Sequence, residues 1–427
     1  VDLEPVNSAA APRDRWYVLA VLTLVYALNI ADRFSISTVL EPIRQELGLS
    51  DRGIALLTGW ALALFYVSVG IPVAVFADRL NRRNILAIAL ALWSAMTTLG
   101  GLAGNYWQLL LARFGVGIGE AGGTPPSTSM LADKFPPARR PMALTIFALG
   151  ACLGAWLGSQ VAGAAAERGG WRAAFLVLGI PGVVVALIVW LTVREPRRGQ
   201  LDARGPTQAS TLVTTLQFIV RQRSAVHLLI GGSVATFWSW GLMWWTTAFL
   251  QRSHHMSVGS AGALLGPMHL IAGSAGTLLA AWLVGRRVAA DPRYVTRLLF
   301  WVIALSTIPS FFVYWVGSLK AATVLLWIFV PSVYFYIGPI LGLLQNVIPA
   351  NMRATACAVL LFIANVANLI LAPGIVGALS DWFAASFGAG TESLRWALLL
   401  LAPTGLWAAW HLWTSGATIV EDAARAG

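Results

Sequence analysis

Four ionisable side chains sit inside apolar runs of this chain. Arg113 and Glu120 belong to Leu109-Leu-Leu-Ala-Arg-Phe-Gly-Val-Gly-Ile-Gly-Glu-Ala-Gly-Gly123, and Asp32 and Arg33 to Asn29-Ile-Ala-Asp-Arg-Phe-Ser-Ile-Ser37. Arg113 and Glu120 are seven residues apart, about 700° of helical rotation, so both leave one face, roughly 10 Å apart along the axis. Asp32 and Arg33 are neighbours and point about 100° apart, so they do not neutralise each other along one face. Asn29, Arg33 and Ser37 share a face, with Asp32 to one side. In hydrocarbon each such charge costs at least a few kcal/mol, about 2.5–3.5 on insertion scales, so all four are functional candidates. A buried carboxylate is pushed towards neutrality by desolvation and towards ionisation by a nearby arginine, and that competition makes a proton switch. The expectation is that Glu120 and Asp32 exchange protons and that Arg113, Arg33 and Asn29 contact substrate. Arg113 would either hold an anionic headgroup or pair with Glu120. The blander alternatives are an ion pair that only locks a helix, and side chains that snorkel to an interface.

These charges need helices that span a bilayer, and the composition supplies them. The chain has 427 residues, 58% hydrophobic and 11% charged, against about 25% charged in soluble domains. About twelve apolar runs of spanning length follow one another. Twenty tryptophans suit two aromatic interface belts. The fold class expected is an all-α membrane protein with twelve transmembrane helices in two six-helix bundles. Residues 1–193 would form the N-terminal bundle, 194–223 a polar cytoplasmic linker and 224–427 the C-terminal bundle, with the ligand site between the halves. The first apolar run is too long for a signal-peptide core and keeps its Asp-Arg pair.

The net charge of +11 is spread in short clusters between apolar runs, which is a topology pattern and not a nucleic-acid stripe. Twenty arginines and lysines fall at the termini and even-numbered loops and seven in odd-numbered loops. Both termini and the linker are therefore expected in the cytoplasm. Cys152 and Cys357 lie apart within apolar runs and form no disulfide framework. There is no phosphate-binding GxxxxGK[ST] motif, no HExxH, and no nucleophile with a nearby histidine. No cofactor, no metal site and no catalytic residue is expected.

Two further stretches carry spacing signals. Asp78-Arg79-Leu-Asn-Arg82-Arg83 places an acid at a helix end before a tight basic turn. It resembles the signature loop of the major facilitator superfamily, with Ala74 and Asn81 where glycines are usual. Asp78, Arg79, Arg82 and Arg83 are expected to latch the cytoplasmic side against the other half, besides setting topology. Gly150, Gly154 and Gly158 form a small-xxx-small ladder that lets another helix approach closely. In the second half Asn365 and Asn368 stand one turn apart, and Trp238, Trp240, Trp244 and Trp245 offer either packing or an apolar wall.

Taken together, Asn29-x-x-Asp32-Arg33, Arg113-Phe-Gly-Val-Gly-Ile-Gly-Glu120-Ala and Val193-Arg-Glu-Pro-x-Arg198-Gly resemble the spinster family of that superfamily, in a bacterial form with compact loops. The resemblance implies a monomeric, proton-linked secondary transporter working by alternating access in a bacterial inner membrane. It also implies an anionic amphipathic substrate, such as a lysophospholipid or a sphingosine-phosphate-like lipid. The alternatives are transport of small hydrophilic organic anions such as sugar acids and, from another class, a lipid-modifying membrane enzyme, which the missing nucleophile and metal sets disfavour.

Overall fold

The computed structural model describes residues 14–60, 80–136, 139–197, 211–285, 287–349 and 351–426, and their regular elements are all helical. Twelve spans follow in order. The first is Arg15–Thr38. A surface helix, Leu40–Leu47, then leads through Asp51–Ala55 into the second span, described as far as Trp60. The third is Arg82–Gly100, and the fourth is split into Tyr106–Glu120 and Thr124–Lys134. The fifth begins at Arg140, and the sixth ends at Thr192, after a non-helical turn at Gly169 and Gly170. In the second half the seventh span is Arg223–His254, the eighth covers Val258–Val284 and the ninth is Pro292–Trp315. The tenth spans Leu319–Asn346, the eleventh Arg353–Phe387 and the twelfth starts at Ser393 and closes with Thr404–Ala426.

Short polar side chains start many of these helices. Ser50, Asn81, Asn105, Ser257, Asp291 and Ser318 each accept a hydrogen bond from the backbone N–H three residues on, satisfying a donor that the first turn leaves without a partner. Glycines then set how closely the spans pack. A Cβ at Gly150, Gly154 or Gly158 would collide with the carbonyl oxygen of Thr23, Ala27 or Ala31. The fifth-span ladder therefore lies directly on the first-span backbone, as the small-residue spacing predicts.

Two details differ from the sequence reading. The fourth span, expected as one run, breaks immediately after Glu120. Gly122 and Gly123 donate to Gly119 and Glu120 in tight i→i+3 turns, and Pro125 and Pro126 bring no N–H to continue the helix. The stretch 194–223, expected as a polar linker, contains an amphipathic helix, Leu212–Arg221. The second, fifth, eighth and eleventh spans share one more feature. Each contains a wide π-helical turn, at Leu56–Trp60, Leu157–Val161, Met268–Gly273 and Val366–Leu371.

The first and fifth spans pack together, as do the third with the fourth and sixth. The seventh and ninth pack on the twelfth. The halves meet where the second span touches the eleventh, the fifth touches the eighth and the first touches the seventh. At the first of these contacts Gly59 faces the Leu369 carbonyl with no room for a Cβ.

Candidate functional site

The four intramembrane charges come together, and they pair crosswise. Arg113 Nη1 donates to Asp32 Oδ2 at 2.6 Å, while Arg33 donates to Glu120 Oε2 from Nε at 2.8 Å and from Nη2 at 2.7 Å. The Arg113–Glu120 pair, one of the two alternatives for Arg113, is therefore not formed. Seven residues on one helix hold those groups too far apart along the axis, whereas two adjacent residues on the first span diverge and meet one partner each. Thr97 of the third span donates to the other Asp32 oxygen, Oδ1. All four side chains are buried or nearly so.

The pairing is incomplete. Among the described residues, Arg113 Nε and Nη2 and Glu120 Oε1 are buried without a hydrogen-bond partner. A buried donor or acceptor left unmade costs about 1–3 kcal/mol, more when the group is charged. The cluster thus holds unused donors on one arginine and an unused acceptor on one glutamate, with a helix break beside the glutamate. Gly119 makes that position possible. Its α-carbon packs so tightly on the third span that a Cβ would stand 2.7 Å from the Trp93 nitrogen.

Two cavities flank the cluster. One, with room for about one water at about 20 Å³, is lined by Arg33, Ile36, Ser37, Leu40, Thr58, Trp244, Trp245, Leu369 and Pro373. It lies between the halves, and its lining is mostly apolar. The other, a gap too narrow to hold a water, lies inside the first half, and Asn29, Thr124 and Ser127 are the polar residues that line it. Asn29 and Arg33 therefore face different spaces. Of the four tryptophans considered, Trp244 and Trp245 line the larger cavity, and Trp244 donates to Asn368 Oδ1 at 2.6 Å. Trp240 packs beside Trp244 and Phe34. Trp238 is buried within the second half, against Phe329 and donating to Ser310.

On the side assigned to the exterior, a second ionic cluster ties the halves together. Arg252, at the end of the seventh span, donates to Glu41 Oε2 at 2.6 Å and to both oxygens of Asp51 at 2.7 and 2.5 Å. Ser380 of the eleventh span also donates to Asp51, and the Asp381 carboxylate accepts from the backbone N–H groups of Asp51 and Arg52 at 2.9 Å each. Burial alone would raise the Glu41 and Asp51 carboxyls. The hydrogen bonds and charges of Arg252 and Arg44 outweigh it and hold both below the usual carboxylate range. Sequence reading missed this cluster because Arg252 counts there only among the odd-loop topology charges, and its acids lie about 200 positions away. The only local signal was an arginine so close to the end of an apolar run.

At the opposite face, Asp78 and Arg79 lie outside the described residues. Arg82 is buried and donates to Asp133 at 2.5 Å, Glu195 at 2.7 Å, Ser129 at 2.8 Å and the Pro196 carbonyl at 2.9 Å. The Arg83 backbone N–H donates to Glu195. These partners all belong to the first six spans and the residues that follow them. They clamp the third, fourth and sixth spans together.

The family model of the Major Facilitator Superfamily matches residues 22–372. The chain belongs to this superfamily. It is a transporter and not an enzyme. Within the superfamily it is spinster-like. It resembles a solved bacterial homolog of the human lysosomal transporter spinster, in an inward-facing and unoccupied conformation. The TM-score is 0.83 and the identity 29%, covering 97% of this chain and 99% of that one. An MFS-type efflux pump of Mycolicibacterium smegmatis is 33% identical over 397 residues, 91% of this chain and 90% of that protein. The mouse sphingosine-1-phosphate transporter SPNS2 is 31% identical over 242 residues, 55% of this chain but only 43% of that relative's length.

Proposed function

We propose that this secondary transporter is proton-coupled and moves an anionic amphipathic substrate, lysophospholipid-like or sphingosine-phosphate-like, by alternating access across a bacterial inner membrane. The observation that carries the reading is the crossed pair of ion pairs with unused groups on Arg113 and Glu120. An anionic headgroup would take the open donors of Arg113 and compete with Asp32 for the rest. A proton on Glu120 would cancel its charge and release Arg33 towards the cavity between the halves. Substrate and proton thus act on two arms of one network, which is how binding at one site biases the other. Asp32 is the second acid that could take the proton. The lining between the halves, with Trp244 and Trp245, is mostly apolar, the chemistry an alkyl chain would meet as the halves part there. The name of the mouse relative is in keeping with a phosphorylated lipid. Asn29, beside the break in the fourth span, is a polar contact within reach of the same region. Arg82 and Arg83, with Asp78 and Arg79, would support gating by keeping the cytoplasmic ends of the first half rigid. The unit is proposed to be a monomer, with lipid bilayer, substrate and protons as its partners.

The test is uptake into proteoliposomes with and without an imposed pH gradient, offering a lysophospholipid or a sugar acid. Wild type should move the lysophospholipid with gradient dependence. Glu120→Gln should lose the gradient dependence, and Arg113→Ala should lose binding of the anion at either pH. Full gradient dependence in Glu120→Gln would remove the proton role, and transport of only the sugar acid would replace the substrate class.

A further inference from the structure

The helix Leu212–Arg221, just before the seventh span, has three faces. Thr211 starts it by accepting from the Thr214 N–H at 3.2 Å, and it ends where Gln222 turns out of helical geometry. Thr215 and Ile219 are buried, with Phe218 half-buried, where the helix packs on the seventh and eleventh spans. Thr214, Gln217 and Arg221 form an exposed polar face. Between these lies a third face that is apolar and, among the described residues, unpartnered. Leu212 is 55% exposed, Val213 64%, Leu216 38% and Val220 73%. At about 100° per residue these four positions fall within one 100° sector. A helix of this length reaches roughly 15 Å, half the hydrocarbon thickness, so it does not cross the membrane.

The charge around its root indicates what covers that stripe. Arg221 and Arg223 are exposed on either side of the turn at Gln222. Arg425, 63% exposed, is held there by Asp422 at 3.3 Å, and Asp422 itself is buried, accepting from the Ser224 N–H at 2.8 Å. One exposed acid, Glu421, lies in the same region, so positive charge remains in excess. Membrane-surface helices combine an apolar stripe with basic groups beside it in this way. The arginine distribution places this region on the cytoplasmic side, where the leaflet surface is negative.

We propose that Leu212–Arg221 is an interfacial helix seated in the cytoplasmic leaflet, with Leu212, Val213, Leu216 and Val220 among acyl chains. Arg221, Arg223 and Arg425 hold the phosphates of anionic phospholipids. The partner is the membrane itself, not a soluble phosphate or a transported molecule. The helix follows directly on the segment joining the halves, so this contact fixes the second half's end of that connection to the membrane plane.

Two measurements on the full-length protein in lipid nanodiscs test this. Spin labels at Leu216→Cys, Val220→Cys and Gln217→Cys, each in a Cys152→Ala/Cys357→Ala background, report on the faces. The labels at 216 and 220 should collide with oxygen and be shielded from a water-soluble nickel chelate, and the label at 217 should do the reverse. Equal nickel access at all three would overturn the seating. With native cysteines retained, mass spectrometry of protein released from mixed phosphatidylglycerol and phosphatidylcholine nanodiscs reads lipid choice. Phosphatidylglycerol should be retained preferentially, and Arg221→Gln, Arg223→Gln and Arg425→Gln should each lower that preference by about fivefold. Unchanged retention in the triple variant, or retention displaced by free inorganic phosphate, would overturn the lipid contact.

Discussion

The two faces of this transporter hold their buried arginines to different ends. On the outer face, Arg252 of the second half reaches Glu41 and Asp51 of the first, so its bonds cross between the halves. On the cytoplasmic face, Arg82 has an equally dense set of partners, but Asp133, Glu195, Ser129 and Pro196 all belong to its own half. The first arrangement resists separation of the halves at that face, and the second stiffens one half so that it moves as a body. A buried arginine is therefore not a gate by virtue of its burial. What matters is whether its acids lie on the other side of the moving interface.

Removing one partner of a buried ion pair is expected to have the largest effect, because it leaves a charge uncompensated at about 3–5 kcal/mol. Arg252→Met should open the outer face, read as faster labelling of Ser37→Cys by a membrane-impermeant thiol reagent from outside. Arg82→Met should instead lower the thermal unfolding temperature and leave that labelling rate unchanged. If both variants opened the outer face, the distinction drawn between the two arginines would fail.

Next in size is a steric version of the same break. Gly59→Val adds side-chain atoms where even a Cβ meets the Leu369 carbonyl. It should push the second and eleventh spans apart and raise outer labelling, to a smaller extent than Arg252→Met. An unchanged spin-label distance between these spans would show that the contact does not hold the face shut.

The pH response follows from the depressed carboxyls of Glu41 and Asp51. Groups held below their ordinary range in the closed state stabilise it fully above that range and lose the contribution as pH falls through the shifted values. External pH between about 8 and 5 should therefore leave the outer labelling rate unchanged, and labelling should rise only below about pH 4. A rise near neutrality would point to a different titrating group. The smallest effect is expected from Asp381→Asn, which weakens a carboxylate cap on the Asp51 and Arg52 N–H groups. It should cost about 1 kcal/mol, seen as a modest drop in thermal stability.

Much of this architecture was legible because apolar run length and arginine placement are local properties. The run of spans, a close helix contact at the fifth-span glycines and the singling out of Asp32, Arg33, Arg113 and Glu120 as intramembrane charges follow from spacing. Who pairs with whom did not. One helix can show that Arg113 and Glu120 share a face, but the divergence of two neighbours on the first span decides their partners. The Arg252 cluster joins residues about 200 positions apart, and no periodicity encodes that. The linker helix was obscured because Thr211, Thr214, Thr215 and Gln217 dilute its apolar residues, and burial of Thr215 is a tertiary fact.

The wide turns at Leu56–Trp60, Leu157–Val161, Met268–Gly273 and Val366–Leu371 bear on phase. A π turn accommodates one residue more than an α turn, so whatever follows it is rotated by about 100° relative to an uninterrupted helix. The outer and cytoplasmic segments of the fifth, eighth and eleventh spans therefore follow different helical phases. A single-residue deletion within one of these turns would remove the surplus residue and leave an ordinary α turn, so the side chains beyond it would keep their facing. The same deletion elsewhere in the span would re-index every side chain on one side of it by about 100°, turning residues that face the other half towards lipid.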